Sequence, residues 1–413
     1  MFYKLKYKQV FSILFVILTF TMPIYGQQGF VFAGKRTKEI LAFKKSRGLI
    51  ILPMYINGSG PFNFILDTGV GSLIITDPKL KDSLNFQYLR KIEIDGLGKN
   101  EKLVAYSTPF LKLKIGQAVF NNAHAAILAS DDFSLSGYFG MPIHGLLGFD
   151  FFNSFIVKIN YQAGFLKVFT REKRRLFKKG AKIPLLIIDK KPFISASVVT
   201  QQGNKLPLRL LIDSGSGHPL SLESFENKPF DLPNNFISAN LGVGLNGNIR
   251  GFQGRVKRLN IARFYLDDVL SSFPYFEDVG AKTKPNTRNG SVGNPLLSKF
   301  SIVFDYRKSH VFFKPLNNFK KPFSFDKSGV EITTVGKNFD RYLISRVEPE
   351  SAADEFGILV GDELLSINFN KASSLGIRAI LEILSSETGR TLFIELARGD
   401  QRIVGILTLK KRI

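Results

Sequence analysis

Apolar residues in this chain gather into short runs, mostly of 4–8 positions, at Leu49–Ile56, 110–115, 155–159 and Phe165–Phe169, with shorter ones at 302–304 and 311–313. Clusters of Gly, Pro, Asn and Asp separate them, and the runs are rich in β-branched and aromatic residues. This pattern predicts β-strands joined by tight turns rather than amphipathic helices. Two basic, polar stretches, 171–182 and 317–327, divide the chain beyond its N-terminus into three blocks.

The last block has a different rhythm. A strand is expected at 342–347, and Ser351-Ala352-Ala353-Asp354 has the spacing of a capped short helix, with Gly357 as its stop. A turn at Val360-Gly361-Asp362 leads into another strand. Ile377, Ile380, Leu381 and Leu384 fall at helical spacing, and strands at 391–397 and 403–409 close the chain.

The first two blocks repeat one another. Phe64-Ile65-Leu66-Asp67-Thr68-Gly69 in one corresponds to Leu210-Leu211-Ile212-Asp213-Ser214-Gly215 in the other. Downstream, Leu146-Leu147-Gly148 corresponds to Ser291-Val292-Gly293, each followed by an apolar strand pattern. The separations from Asp to the second Gly, 81 and 80 positions, are nearly equal. Two matches in the same order at the same distance imply a duplicated fold unit.

An apolar strand ending in Asp-Thr/Ser-Gly sets a carboxylate at the edge of a hydrophobic wall. The hydroxyl can brace a symmetry-related loop, and glycine lets backbone amides approach the carboxylate. One copy alone reads as an ordinary turn. Two copies related by a pseudo-twofold would bring Asp67 and Asp213 together. Carboxylates in contact share one proton, so one can activate a water while the other polarises a carbonyl.

Each block also carries glycines between its motifs: Gly96 and Gly98 in the first, Gly242 and Gly244 in the second. The second set satisfies G-x-G-x-x-G, but no helical run follows it, so a mobile hairpin is the better reading than a dinucleotide loop. Tyr106 and Phe252 are either substrate contacts or buried strand aromatics. His218 reads as structural, because no nucleophile elbow surrounds Ser214 or Ser216.

Composition narrows the chemistry. With no Cys, thiol nucleophiles, disulfides and thiolate metal sites are excluded. The four His (His124, His144, His218, His310) lack metal-site spacing, so no metal and no cofactor are expected. The net charge of +23 is spread along the chain without a nucleic-acid recognition motif. It favours acidic partners or peripheral contact with membrane headgroups over nucleic acid. Lys4, Lys6 and Lys8 precede an apolar run and Gly26, the layout of an export signal over residues 1–26. A periplasmic, cell-envelope or secreted location is expected.

These motifs resemble the pepsin-like and retropepsin-like aspartic peptidases, over about residues 45–318. The resemblance implies two pseudo-symmetric β-barrel lobes, 45–170 and 183–318, with Asp67 and Asp213 catalytic. Thr68, Gly69, Ser214 and Gly215 would support the pair, and the glycine segments would form flaps. Ser291 departs from the family's aliphatic residue at that position. Residues 328–413 resemble a bacterial PDZ domain, carried by Ser351-Ala352-Ala353, Gly357, Val360-Gly361-Asp362-Glu363-Leu364-Leu365 and Ile367-Asn368. Its small α+β fold implies binding of an extended peptide, with Gly336, Lys337, Asn338 and Phe339 as the candidate peptide-binding loop. The expectation is therefore a mainly β, exported aspartic endopeptidase whose PDZ module recruits or orients substrate. The competing expectation is a catalytically silent peptide-binding scaffold of the cell envelope.

Overall fold

The computed structural model describes residues 29–413 apart from 85, 95, 99–102, 132–133, 171–179, 246 and 284–286. The expected export signal and most of the basic stretch 171–182 lie outside the described residues. The fold is mainly β. Most of the apolar runs mark strands closely: Leu49–Ile56 and Phe165–Phe169 are strands with those bounds, and 302–304 sits inside Phe300–Asp305. The run at 110–115 is only the end of a longer strand, Leu103–Ile115, whose pairing shifts register between Thr108 and Leu111.

The duplication is visible in how the strands pair. In the first repeat Ser59–Leu66 runs parallel to Gly145–Leu147, which pairs antiparallel with Leu73–Ile75, which runs parallel to Ala118–Leu128. In the second, Lys205–Asp213 runs parallel to Gly290–Gly293, which pairs antiparallel with Leu220–Leu222, which runs parallel to Phe264–Pro274. On the other side, Leu49–Ile56 and Lys191–Val199 occupy equivalent places. Burial rises along Ser59–Leu66 from an exposed start to a fully buried end. The strand thus delivers Asp67 to the inner end of the sheet.

Beneath both repeats lies one six-stranded sheet to which each contributes three strands. Its central antiparallel pair joins Ile156–Asn160 to Phe300–Asp305, with Val157 opposite Phe304 and Ile159 opposite Ile302. Val157 and Ile302 stand at equivalent repeat positions, as do Ile159 and Phe304. The pairing is therefore symmetric about Lys158 and Val303, where the pseudo-twofold passes. Phe151, Phe152, Phe155, Phe300, Phe304 and Phe313 are all fully buried. Phe152 stacks on Tyr306 of the other repeat at 5.5 Å, so this aromatic layer welds the two halves; truncating one such Phe to Ala costs about 3–5 kcal/mol.

The C-terminal block has its own core, built from Ile332, Tyr342, Ile344, Leu364, Ile367, Ile380, Leu392, Ile394 and Leu396 among others. Ser351 caps the short helix Ala352–Phe356 by accepting from the Asp354 amide, and Gly357 ends it at φ 84°. The periodic apolar positions form the helix Ala372–Leu384, which is interrupted at Gly376 and buries Ile380 and Leu384. Strand Val330–Val335 lies at one edge of this sheet. It packs on the helix Leu135–Phe139 of the first repeat, where Thr334 donates to the Gly137 carbonyl at 2.7 Å.

Candidate active site

Asp67 and Asp213 follow the buried ends of equivalent strands and meet at the floor of a cleft of about 1990 Å³ between the repeats. The loops that carry them are locked reciprocally. Thr68 Oγ1 donates to the Ile212 carbonyl at 2.6 Å and accepts from the Ser214 amide at 2.9 Å. Ser214 Oγ donates to the Leu66 carbonyl at 2.7 Å and accepts from the Thr68 amide at 3.0 Å. Both hydroxyls are fully buried. The Gly69 amide donates to Asp67 Oδ1 at 2.7 Å, and the Gly215 amide to Asp213 Oδ1 at 2.9 Å. A Cβ on Gly215 would collide with the Asp67 carboxyl, so glycine is needed there for the two loops to approach.

The two carboxyls lie close enough to perturb one another. Each keeps some contact with the cleft but is otherwise walled in by protein. Burial raises both above the usual carboxylate range, and Asp67 is raised further by the charge of Asp213. Arg288, the Gly215 amide and Lys191 oppose that rise at Asp213. The two carboxyls therefore titrate as a coupled pair, both pushed above the usual carboxylate range by burial.

The support beneath the two loops differs. Under the second, buried Asn294 donates from Nδ2 to the Ser214 carbonyl at 2.8 Å and accepts from the Tyr161 hydroxyl at 2.8 Å. The equivalent residue under the first is Phe149, which packs against Tyr306 at 6.0 Å. The Tyr306 hydroxyl is buried without a hydrogen-bond partner among the described residues.

Both glycine segments line the cleft. In the first repeat, Arg90–Ile94 pairs with Leu103–Ile115; Gly96 and Leu97, beyond its end, line the cleft. The second hairpin, Phe236–Gly244 with Gly247–Ile261, lines it with Gly242, Val243, Gly244 and Leu245. The tips meet: the Leu97 carbonyl lies against Gly244 where a side chain would clash. Gly98 donates to the Asp278 carbonyl at 3.1 Å and accepts from Lys282.

His218 is structural. Its Nε2 pairs with the Leu241 carbonyl at 2.7 Å, anchoring the second hairpin, and burial lowers its pKa so that it stays neutral. Tyr106 and Phe252 pack against the core and are not among the cleft's lining residues. Gly336, Lys337, Asn338 and Phe339 form the turn between Val330–Val335 and Arg341–Val347, largely exposed and away from the dyad's cleft. The C-terminal block nonetheless reaches that cleft through Glu331, Thr333, Val335, Ser345 and Arg346.

Sequence reasoning missed three cleft residues of the second repeat, Lys191, Glu223 and Arg288. They are far apart along the chain and belong to no motif; only the repeat alignment, which sets Leu49 against Lys191 and Ile143 against Arg288, could have singled them out.

A comparison with curated proteins found no match. Residues 52–151, the stretch of the first repeat that contains Asp67 and the Leu146-Leu147-Gly148 segment, match the family model described as aspartyl protease, which supports a peptidase role for the chain.

Proposed function

We propose that the protein is an exported aspartic endopeptidase in which two lobes, 45–170 and 183–318, supply Asp67 and Asp213 to one active site. The observation that carries the reading is the reciprocally locked carboxyl pair at the floor of a long cleft. In this mechanism Asp213, ionised, takes a proton from a water held between the carboxyls. Asp67 donates its proton to the carbonyl oxygen of the scissile amide, stabilising the charge that develops there. The resulting tetrahedral gem-diol collapses as the amine nitrogen is protonated and the C–N bond breaks, returning one proton to the pair. The hairpin tips would close over the peptide and exclude bulk water.

On this reading the 328–413 module is a PDZ fold that orients the cleft rather than one that waits for a free peptide. PDZ domains bind by adding a strand beside an edge strand and a helix. Here the Ile332 carbonyl on edge strand Val330–Val335 accepts from Arg47 at 2.6 Å. Gly140 lies against Ile377 of the helix Ala372–Leu384 and against Thr334 of that strand. The groove is thus occupied by the first lobe. The export reading rests on the basic and apolar pattern of residues 1–26.

The test is incubation of the purified protein with a diverse peptide library and sequencing of the products. Internal cuts are expected with wild type, and none with Asp67→Asn or Asp213→Asn when both remain folded. Equal cleavage by all three proteins would refute the proposal.

A further inference from the structure

The two walls of the cleft are built from equivalent strands but differ in chemistry at a few matched positions. Ile51 pairs with Ile65, and Phe193 with Leu211, so Leu49 and Lys191 occupy matching places two residues upstream. Gly145 and Gly290 match, so Ile143 corresponds to Arg288 and Leu146 to Ser291. Thr76 corresponds to Glu223, each following the strand residue (Ile75 or Leu222) that faces the matched glycine.

In the first lobe Leu49, Ile51, Ile65, Phe139 and Ile143 form an apolar cluster, and Leu49, Ile65, Phe139 and Leu146 face the cleft. In the second, Lys191, Ser221, Glu223, Ser272, Arg288 and Ser291 face it. Arg288 and Glu223 are almost fully buried and pair at 2.7 Å, while Arg288 Nη2 has no hydrogen-bond partner among the described residues. Lys191 is mostly buried, and among the described residues no ion pair engages its ammonium. Its charged neighbours are Arg288, Asp213, Asp67 and Asp189, and both burial and Arg288 push its pKa down.

Placing two cations in a wall whose twin is aliphatic at the matched positions carries a desolvation cost that one buried glutamate only partly offsets. Glu223 pairs directly with Arg288 and reaches Lys191 only by its field, and the dyad must remain free for chemistry. We propose that the Lys191–Arg288 wall is a subsite for a substrate carboxylate, opposite an apolar subsite at Leu49, Ile65, Phe139 and Leu146. The inference rests on the peptidase reading. Because the pseudo-twofold passes through the dyad, the two subsites flank the scissile bond. The preferred substrate then carries a large apolar residue on one side of that bond and a carboxylate on the other. The carboxylate comes either from an Asp or Glu side chain or from the free end of the chain.

Paired fluorogenic peptides that differ only by Glu or Gln beside the cleaved bond provide the test. Each is made with an amidated extension and as a form ending at that residue with a free acid. Wild type is expected to prefer the carboxylate-bearing form, Glu over Gln or free acid over amide, by about tenfold or more in kcat/KM, the lower range for a close, desolvated charge pair. Preference within the amidated set identifies a side-chain carboxylate; preference only for free-acid ends identifies a chain terminus. Lys191→Leu, which installs the first lobe's residue, should reduce the ratio to near one. So should the joint exchange Glu223→Thr with Arg288→Ile, which removes both buried charges together. Taking ratios at one pH cancels any effect of these changes on the dyad itself. Cleavage without carboxylate preference, or with a preference that both variants retain, overturns the subsite and leaves the peptidase standing. Absence of any cleavage by wild type overturns the peptidase reading and the subsite with it.

Discussion

Replacing Thr68 by Val keeps the shape of a fully buried side chain and removes only its hydroxyl. Two backbone groups of the opposite loop then lose their partner: the Ser214 amide, bonded at 2.9 Å, and the Ile212 carbonyl, bonded at 2.6 Å. Water cannot reach either without opening the interface between the lobes. A buried polar group stripped of its bond costs about 1–3 kcal/mol, so Thr68→Val, which strips two, should cost about 2–6 kcal/mol. Ser214→Ala removes the matching pair of bonds to Thr68 and Leu66 and should cost a similar amount. The two changes act on one interface, so the double variant should fall short of their sum by more than about 0.5 kcal/mol. Thr68→Ser retains the hydroxyl and should stay near wild type. The chain has no Trp, so urea unfolding is best followed by far-UV circular dichroism and Tyr fluorescence. Peptide cleavage measured in parallel should fall with Thr68→Val, because the dyad's spacing depends on this lock. A Thr68→Val cost below about 0.5 kcal/mol with unchanged cleavage would refute the reasoning.

Other expectations rest on the same geometry. Burial raises the Asp67 pKa, so the folded state holds that proton more tightly than the unfolded chain. The stability this confers is present below the ordinary carboxylate range and is lost as pH rises through the raised value. Asp67→Asn should therefore melt at least as high as wild type at pH 7, with a smaller advantage at pH 4, although inactive; calorimetry showing the reverse trend would contradict it. Tyr161→Phe leaves Asn294 Oδ1 unpaired in the interior and should cost about 1–2 kcal/mol in denaturant unfolding. Gly244→Ala should push the second hairpin tip from the Leu97 carbonyl, raising KM with little change in melting temperature. Asp362 is held below the usual carboxylate range by the Arg398 guanidinium, at 2.8 Å from each oxygen. Its contribution exists above the unfolded-state value and is lost as pH falls through the depressed one, so Asp362→Asn should destabilise the C-terminal module at pH 7 and have little effect in acid.

Much of this architecture is legible in the sequence because it obeys local rules. Apolar runs give the strands, Ser351 and Gly357 bracket a helix, and the repeated Asp-Thr/Ser-Gly sequence marks two loops that must share one environment. The less legible features depend on register between distant segments. Lys191 and Arg288 are 97 positions apart, and they meet only because Lys191–Val199 and Gly290–Gly293 flank the same strand. Each alone reads as one more surface cation on a basic chain. The contact between Leu135–Phe139 and Val330–Val335 is equally silent, since Gly137 and Thr334 carry no periodic signal. The register shift in Leu103–Ile115 occurs where Phe110 adopts a φ of 64°, a conformation that bulky residues rarely signal in sequence.

The central claim is that Asp67 and Asp213 work as one pair carrying a single proton. The pH dependence of kcat/KM on a cleaved peptide tests it most directly, with fold integrity followed at each pH. A bell-shaped profile is predicted, bounded by two coupled ionisations of the pair, with its alkaline limb above the ordinary carboxylate range. Asp67→Asn and Asp213→Asn should each abolish the whole profile. A flat profile, or one that survives either substitution, would contradict the account.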